Sequence, residues 1–210
     1  MEPMVITIAR EFASGGREIA ALLGEQLGVP VYNKELITIA AKKSGLTEEA
    51  IAASENQRSG SLIYILYMMG NTMPLADQVY ILQSNVIKEL AAKGPCIIMG
   101  RCGDYVLRER ANVLRVFLHA PLEYRIKVAR HSPEGKGLNE TDHQIEQTLA
   151  KHDRARASYY NYYTEYRWGE AKNYDLCINT AMGNEACAAL IAQAAQKMME
   201  EAKKSNEQQI

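Results

Sequence analysis

The chain has 210 residues and a formal net charge of −1, with 47% apolar and 23% charged residues. That length is most simply one domain with a sizeable core, and the near-neutral balance argues against nucleic acid or an anionic membrane surface as a partner. No apolar run approaches the length of a membrane span, and the four cysteines form no C-x-x-C pair, so a soluble, cytoplasmic α/β protein with free thiols is expected.

The opening Met1-Glu2-Pro3-Met4 enters a strand at once, which by expectation leaves no room for a signal peptide. The strand, Val5-Ile6-Thr7-Ile8-Ala9, runs through Arg10-Glu11-Phe12-Ala13 into a short Ser14-Gly15-Gly16 loop. An amphipathic helix follows, with Ile19, Leu22, Leu23 and Leu27 at helical spacing. Strand, glycine loop and helix together aim backbone N–H groups and a helix N-terminus at one anion. Set against the phosphate-loop pattern G-x-x-x-x-G-K-[ST] with Gly16 as its last glycine, Arg17 falls on the lysine, Glu18 on the Ser/Thr and Glu11 on the first glycine. The plainer alternative is that Ser14 caps an ordinary helix and Glu18 complements its dipole.

Gly28 stops this helix, and Val29 to Tyr32 reads as a short edge strand. Asn33 is the expected cap of a helix carrying Leu36, Ile37, Ala40 and Ala41, and a second short helix is expected from Thr47. Residues 57–61 read as a turn, Leu62 to Met69 as helical, and 70–74 as a break. A long helix is expected from about Asp77 to Lys93, ended by Gly94-Pro95. Cys96 to Met99 then suits a strand buried on both faces of a parallel sheet. Arg101 and Asp104 follow at its carboxyl end, where open α/β sheets bind ligands. The next strand, Val113 to His119, leads through Ala120-Pro121 into a helix with Arg125, Lys127 and Arg130. Beyond the breaker-rich loop Ser132 to Gly137, Thr141 to Gln144 reads as a capping box for a helix with Ile145, Thr148, Leu149 and His152 on one side. The last strand is placed at Tyr174 to Asn179, the last helix from about Glu185, and a frayed polar tail from Lys203.

Three constellations stand out. Arg101 can grip a phosphate bidentately with Asp104 orienting it, or the pair is a turn arginine and a helix cap. Arg125, Lys127, Arg130, Lys136, Lys151, Arg154 and Arg156 bracket one loop, as a lid over transferring phosphates requires, or form a solvated face paired with its acids. Six aromatic residues crowd positions 159–168, and packing of a lid helix or a homodimer contact is preferred to base stacking. The four histidines show no i,i+4 pair, so no metal site is expected.

Read together, residues 6–20, Tyr32-Asn33-Lys34-Glu35-Leu36-Ile37, residues 100–107, Asp153-Arg154-Ala155-Arg156 with Tyr159 to Thr164, Trp168-Gly169, and Tyr174 to Thr180 resemble the cytidylate kinase-like proteins over nearly the whole chain. The resemblance implies a P-loop NTPase fold, with a parallel five-stranded sheet between helices in a single domain over 1–203. It also implies a helical NMP-binding insertion at about 33–94 and a lid at about 124–165, leaving 204–210 as a disordered tail. It implies transfer of the ATP γ-phosphoryl, with Mg²⁺, to a nucleoside monophosphate such as CMP or dCMP. Carried over by position, Ser14, Gly15, Gly16, Arg17 and Glu18 hold the ATP phosphates. Arg17, Arg125, Arg130 and Arg156 act in catalysis, and Arg101, Asp104 and Asp153 face the acceptor nucleotide. The sequence departs from true cytidylate kinases in lacking the loop lysine and hydroxyl. A kinase for another small acceptor, and a non-catalytic nucleotide-binding protein, therefore stand as alternatives.

Overall fold

The computed structural model describes residues 3–55, 73–131 and 140–207. The expected turn at 57–61, the helix Leu62–Met69, the loop Ser132–Gly137 with Lys136, and the last three tail residues lie outside them.

Five strands form one parallel sheet: β1 (Val5–Arg10), β2 (Val31–Tyr32), β3 (Cys96–Met99), β4 (Val113–His119) and β5 (Leu176–Asn179), in the order β2-β3-β1-β4-β5. β1 is central, paired to β3 through Val5↔Cys96 and to β4 through Val5↔Val113. Alternation along these strands sorts side chains onto two faces. Ile6, Ile8, Ile97, Met99, Leu114 and Val116 pack under α1 (Gly16–Leu27) and the C-terminal helix (Asn184–Glu207). Val5, Cys96, Ile98 and Val113 turn the other way, under α2 (Glu35–Ser44), α3 (Glu48–Glu55) and α4 (Leu75–Lys93). With both faces of the sheet covered, Cys96–Met99 is a continuous apolar run buried at every position, as expected.

A short α5 (Gly103–Val106) follows β3, α6 (Leu122–His131) follows β4, and α7 (Asp142–Tyr163) crosses back over the carboxyl edge of the sheet. The helix Asn184–Glu207 is α8. The Thr141/Gln144 capping box is present: the Gln144 amide donates to the Thr141 hydroxyl, and Gln144 Oε1 accepts from the Thr141 N–H.

Three expectations need correction. Asn33 does not cap α2: Lys34 stands at the cap position, no side chain caps the helix, and the Glu35 carboxylate reaches back to accept from the Asn33 N–H, outside the helix, at 2.8 Å. The last strand starts at Leu176, because Tyr174 is the cap of a single 3₁₀ turn. The last helix continues to Glu207, past Lys203, where a frayed tail was expected to begin. All four cysteines are free, with Cys177 exposed and the others buried. Among the described residues no helix is long and apolar enough to cross a membrane.

Candidate active site

β1 ends at Arg10, and the chain turns through Glu11–Gly15 into α1. Ala13 and Gly15 take left-handed conformations, φ 58° and 72°, and Gly15 is the cap position of α1. Ser14 is not the cap: its hydroxyl donates back to the Glu11 carbonyl at 2.9 Å, and no side chain caps α1. The first turn therefore presents its N–H groups unclaimed by a side-chain cap, as an anion site requires.

The loop is pinned from above by α6 and α7. Asp153 Oδ1 accepts from the Phe12 N–H at 2.7 Å, and its other oxygen pairs with Arg125. Arg125 Nε donates to the Phe12 carbonyl at 2.8 Å, and its Nη1 lies 3.4 Å from Glu11. Glu11 in turn accepts from the Ala120 N–H, and Arg156 Nη1 donates to the Arg10 carbonyl at 2.9 Å. Phe12 stacks on His152, ring centroids 4.0 Å apart.

Two cavities open at the carboxyl end of the sheet. The first, about 270 Å³, is lined by Arg10–Glu18 and by Ile145, Thr148, Leu149, His152 and Arg156 of α7. The second, about 310 Å³, lies at the end of β3 and is lined by Asn33, Lys34, residues 99–102, Asp104, Tyr159, Tyr160 and Trp168. Arg10, Arg17, His152 and Arg156 line both. Like charges crowd this shared wall. Burial, then the neighbouring Arg156, Arg101 and Arg17, pushes the Arg10 guanidinium down to about 9. Burial, then Arg17 and Arg125 working against Asp153, brings Arg156 to about 10. Burial and then Arg156 also lower His152, so it is neutral at pH 7.

The second cavity has an unusual rim. Gly100, Arg101 and Cys102 are consecutive left-handed residues, with φ 70°, 52° and 55°. Such conformations cost energy for side chains larger than glycine and cluster at functional sites. Arg101 Nη1 donates to the Asn33 carbonyl at 2.9 Å, tying β3's end to the β2–α2 connection. Asp104 is buried and accepts from the Tyr160 hydroxyl at 2.5 Å. Burial raises the Asp104 carboxyl, and burial plus the Asp104 charge holds the Tyr160 phenol firmly protonated.

Ser14, Gly15, Gly16, Arg17 and Glu18 thus line the first cavity, Arg101 and Asp104 the second, and Arg156 both. The other three expected residues lie elsewhere. Arg125 and Asp153 line neither cavity, because they are used on each other and on the loop backbone. Arg130 pairs with Asp142 at the surface. The tyrosines pack α7 onto α4: Tyr163 stacks on Tyr80 at 4.2 Å and donates to Asp77, as the packing alternative anticipates. Arg10 and His152 received no role from the sequence. The signal for Arg10 was a charge at the last position of a buried central strand, where the chain leaves the sheet.

Among the described residues no three His, Cys, Asp or Glu side chains converge as a metal site. Magnesium keeps several waters and usually takes one or two carboxylates plus substrate phosphates. The exposed Glu18, on the first cavity's lining, is a suitable carboxylate for an ion that arrives on a nucleotide.

A central strand running into a glycine loop and helix, in a parallel sheet of this order with cations converging on the loop, defines a P-loop kinase fold. Solved structures agree. An uncharacterized protein from Eubacterium ventriosum superposes with a TM-score of 0.69 at 23% identity, over 92% of this chain and 98% of that one. Shikimate kinase from Bacteroides thetaiotaomicron gives 0.53 at 12% identity, over 94% and 98%. A gluconokinase from Sinorhizobium meliloti gives 0.50 at 14%, over 99% and 97%. At such identities the likeness shows the fold. A search of curated proteins found no match. The family model for the cytidylate kinase-like family matches residues 5–182, and the chain belongs to that family.

Proposed function

We propose that the protein is a phosphotransferase that moves the γ-phosphoryl of ATP to a small acceptor, with CMP or dCMP the first acceptors to test. One observation carries the reading: two cavities share a wall made of Arg10, Arg17, His152 and Arg156. Donor phosphates on the loop and an acceptor against Arg101 and Asp104 would meet across that wall. In such a transfer the bond from the γ-phosphorus to the β–γ bridging oxygen breaks, and its electron pair leaves with ADP. An acceptor oxygen forms the new bond, and a proton goes to solvent if that oxygen was a hydroxyl. Little covalent chemistry is asked of the protein, so positioning and electrostatic stabilisation of the spread charge carry the rate.

Magnesium would arrive on the triphosphate, neutralising part of its charge, with Glu18 as the nearest exposed carboxylate of the loop. Arg156 and Arg17 supply fixed positive charge from two sides. His152, neutral at pH 7, adds a hydrogen-bonding ring without adding to the repulsion. In this reading α6 and α7 form the lid side of the molecule, and the Arg125–Asp153 pair is the joint between lid and loop.

The test is turnover with ATP or GTP and Mg²⁺ against nucleoside monophosphates, nucleosides and small hydroxyl metabolites. Phosphorylation of CMP or dCMP is the expected result. Turnover confined to a non-nucleotide acceptor would keep the phosphotransferase and reject the acceptor. Tight nucleotide binding with no turnover on any acceptor would reject catalysis.

A further inference from the structure

Arg10 is a charge on the shared wall that the protein itself leaves without an anion. It sits half-buried at the end of the central strand, and its guanidinium makes no hydrogen bond or ion pair among the described residues. The charges it feels are those of Arg156, Arg101 and Arg17, all of its own sign. A desolvated cation among cations is costly unless an anion completes the group.

Its side chain is also held along its length. A Cβ built on Gly16 would lie 3.0 Å from Arg10 Cδ, 3.3 Å from Cγ and 3.4 Å from Cβ. One built on Gly100 would lie 3.3 Å from Nη1. The aliphatic stem therefore runs over the first residue of α1, and the fork ends beside the close of β3, on the wall between the two cavities. Gly16 is glycine so that this stem can pass, and Gly100 leaves room for the fork.

That packing changes the register of the loop. With Gly15, the left-handed cap residue, on the second glycine of G-x-x-x-x-G-K, Arg10 falls on the first glycine and Gly16 on the lysine. The stem of Arg10 occupies the space into which a side chain at 16 would start. We infer that Arg10 is the phosphate-binding cation of this loop: the bulky cation and the glycine have exchanged positions, and Arg10 grips the terminal phosphates of a triphosphate from the first position of the loop. A planar fork on a stem packed over Gly16 offers two parallel N–H groups to phosphate oxygens, where a lysine offers a point charge. Arg17, exposed on the first turn of α1, is then an outer contact. This inference rests on the proposed binding of a nucleoside triphosphate in the first cavity, and its test separates the two.

Calorimetry with Mg·ATP and with inorganic tripolyphosphate, on wild type, Arg10→Gln, Gly16→Lys and the double variant Arg10→Gly/Gly16→Lys, is the experiment, with thermal melts to confirm folding. Arg10→Gln keeps most of the stem's packing and removes the charge. It should weaken both ligands by about ten- to a hundredfold, the scale of charge-assisted phosphate contacts. Gly16→Lys alone drives a side chain into the Arg10 stem and should also lose affinity. The double variant restores the glycine and lysine of the ordinary pattern, leaving Arg17 at its Ser/Thr position, and should recover to within about threefold of wild type, a small difference on the affinity scale. Wild-type affinity for tripolyphosphate in Arg10→Gln, or a double variant no better than Gly16→Lys alone, overturns the inference. Wild type that binds tripolyphosphate but not ATP, with Arg10→Gln losing it, would remove the proposed donor and leave Arg10 standing. Wild type that binds neither overturns both.

Discussion

Asp153→Ala is expected to unseat the phosphate loop, and its cost follows from the contacts. The substitution deletes the acceptor of the Phe12 N–H, 2.7 Å away, and the partner of Arg125 Nη2. The side chains of Arg125 and Asp153 are 9% and 17% exposed, so water replaces little of what is lost. Breaking a buried pair from one side costs about 3–5 kcal/mol, because the other charge stays buried. Here Glu11, 3.4 Å from Arg125 Nη1, offsets part of that. A net loss of about 2–4 kcal/mol is the reasonable figure, which for a chain of this size is roughly 5–15 °C in Tm. Asp153→Asn keeps an acceptor for Phe12 and should lose about half as much. Thermal and urea melts of both variants, with a double-mutant cycle against Arg125→Met, read the stability and the coupling. Mg·ATP affinity should fall with the melt, since the pinned residues are the loop itself. Asp153→Ala melting within a degree or two of wild type, or a coupling energy near zero, would refute the claim that these helices hold the loop.

Two further expectations follow from the same wall and its neighbour. Arg17→Ala should weaken triphosphate binding about tenfold by calorimetry, and Arg17→Lys should recover most of it, since an exposed contact depends on charge more than on fork geometry; unchanged affinity in Arg17→Ala would limit this residue to the start of a helix. Burial raises the Asp104 carboxyl above its ordinary 3.8, so its contribution to stability is full below that value and is lost as pH climbs through the raised one; Asp104→Asn should flatten the descent in urea melts from pH 3 to 7, and curves parallel to wild type would contradict the assignment.

Much of the fold was legible because parallel sheets and amphipathic helices leave local marks. Cys96–Met99 is an apolar run bounded by Pro95 and Gly100, Val113–His119 is a mostly apolar one ended by Ala120-Pro121, and both are strands of the sheet. Thr141 and Gln144 encode their cap within four residues. Failures came where a local rule met a competitor: Asn33 has a capping side chain, but α2 starts one residue later, with Lys34 at its cap position and Glu35 bonded back to the Asn33 N–H. The site was legible in composition and not in assignment. Arg125, Arg130 and Asp153 have the chemistry of a lid, yet their targets are chosen by which face of α6 and α7 meets the loop, and the sequence does not state that. Arg10 was hidden for the opposite reason, since its role depends on Gly16 and Gly100, far apart in sequence, closing on one side chain.

A loop without the lysine and hydroxyl of the ordinary pattern looks at first like a site that has lost its chemistry. The electrostatics argue otherwise. A cradle with no ligand to bind gains nothing from three arginines on one wall with Arg101 beside them, where burial and mutual repulsion push Arg10 and Arg156 down from the usual guanidinium range. Local rules broken at the expense of stability, here by stacked like charges and the left-handed Arg101 and Cys102, mark functional sites in otherwise consistent folds. The rest of the structure is spent on keeping that arrangement in place: Arg156 bonds to the Arg10 carbonyl, Arg101 to the Asn33 carbonyl, and the Arg125–Asp153 pair fixes the loop between them. Charge held rigidly before the ligand arrives need not reorganise when phosphate charge is redistributed, which is where most of a phosphotransferase's rate is expected to come from. Replacing one flexible lysine by Arg10 among the anchored Arg156 and Arg101 is thus a different solution to the same electrostatic problem, and the glycines at 16 and 100 are its steric condition.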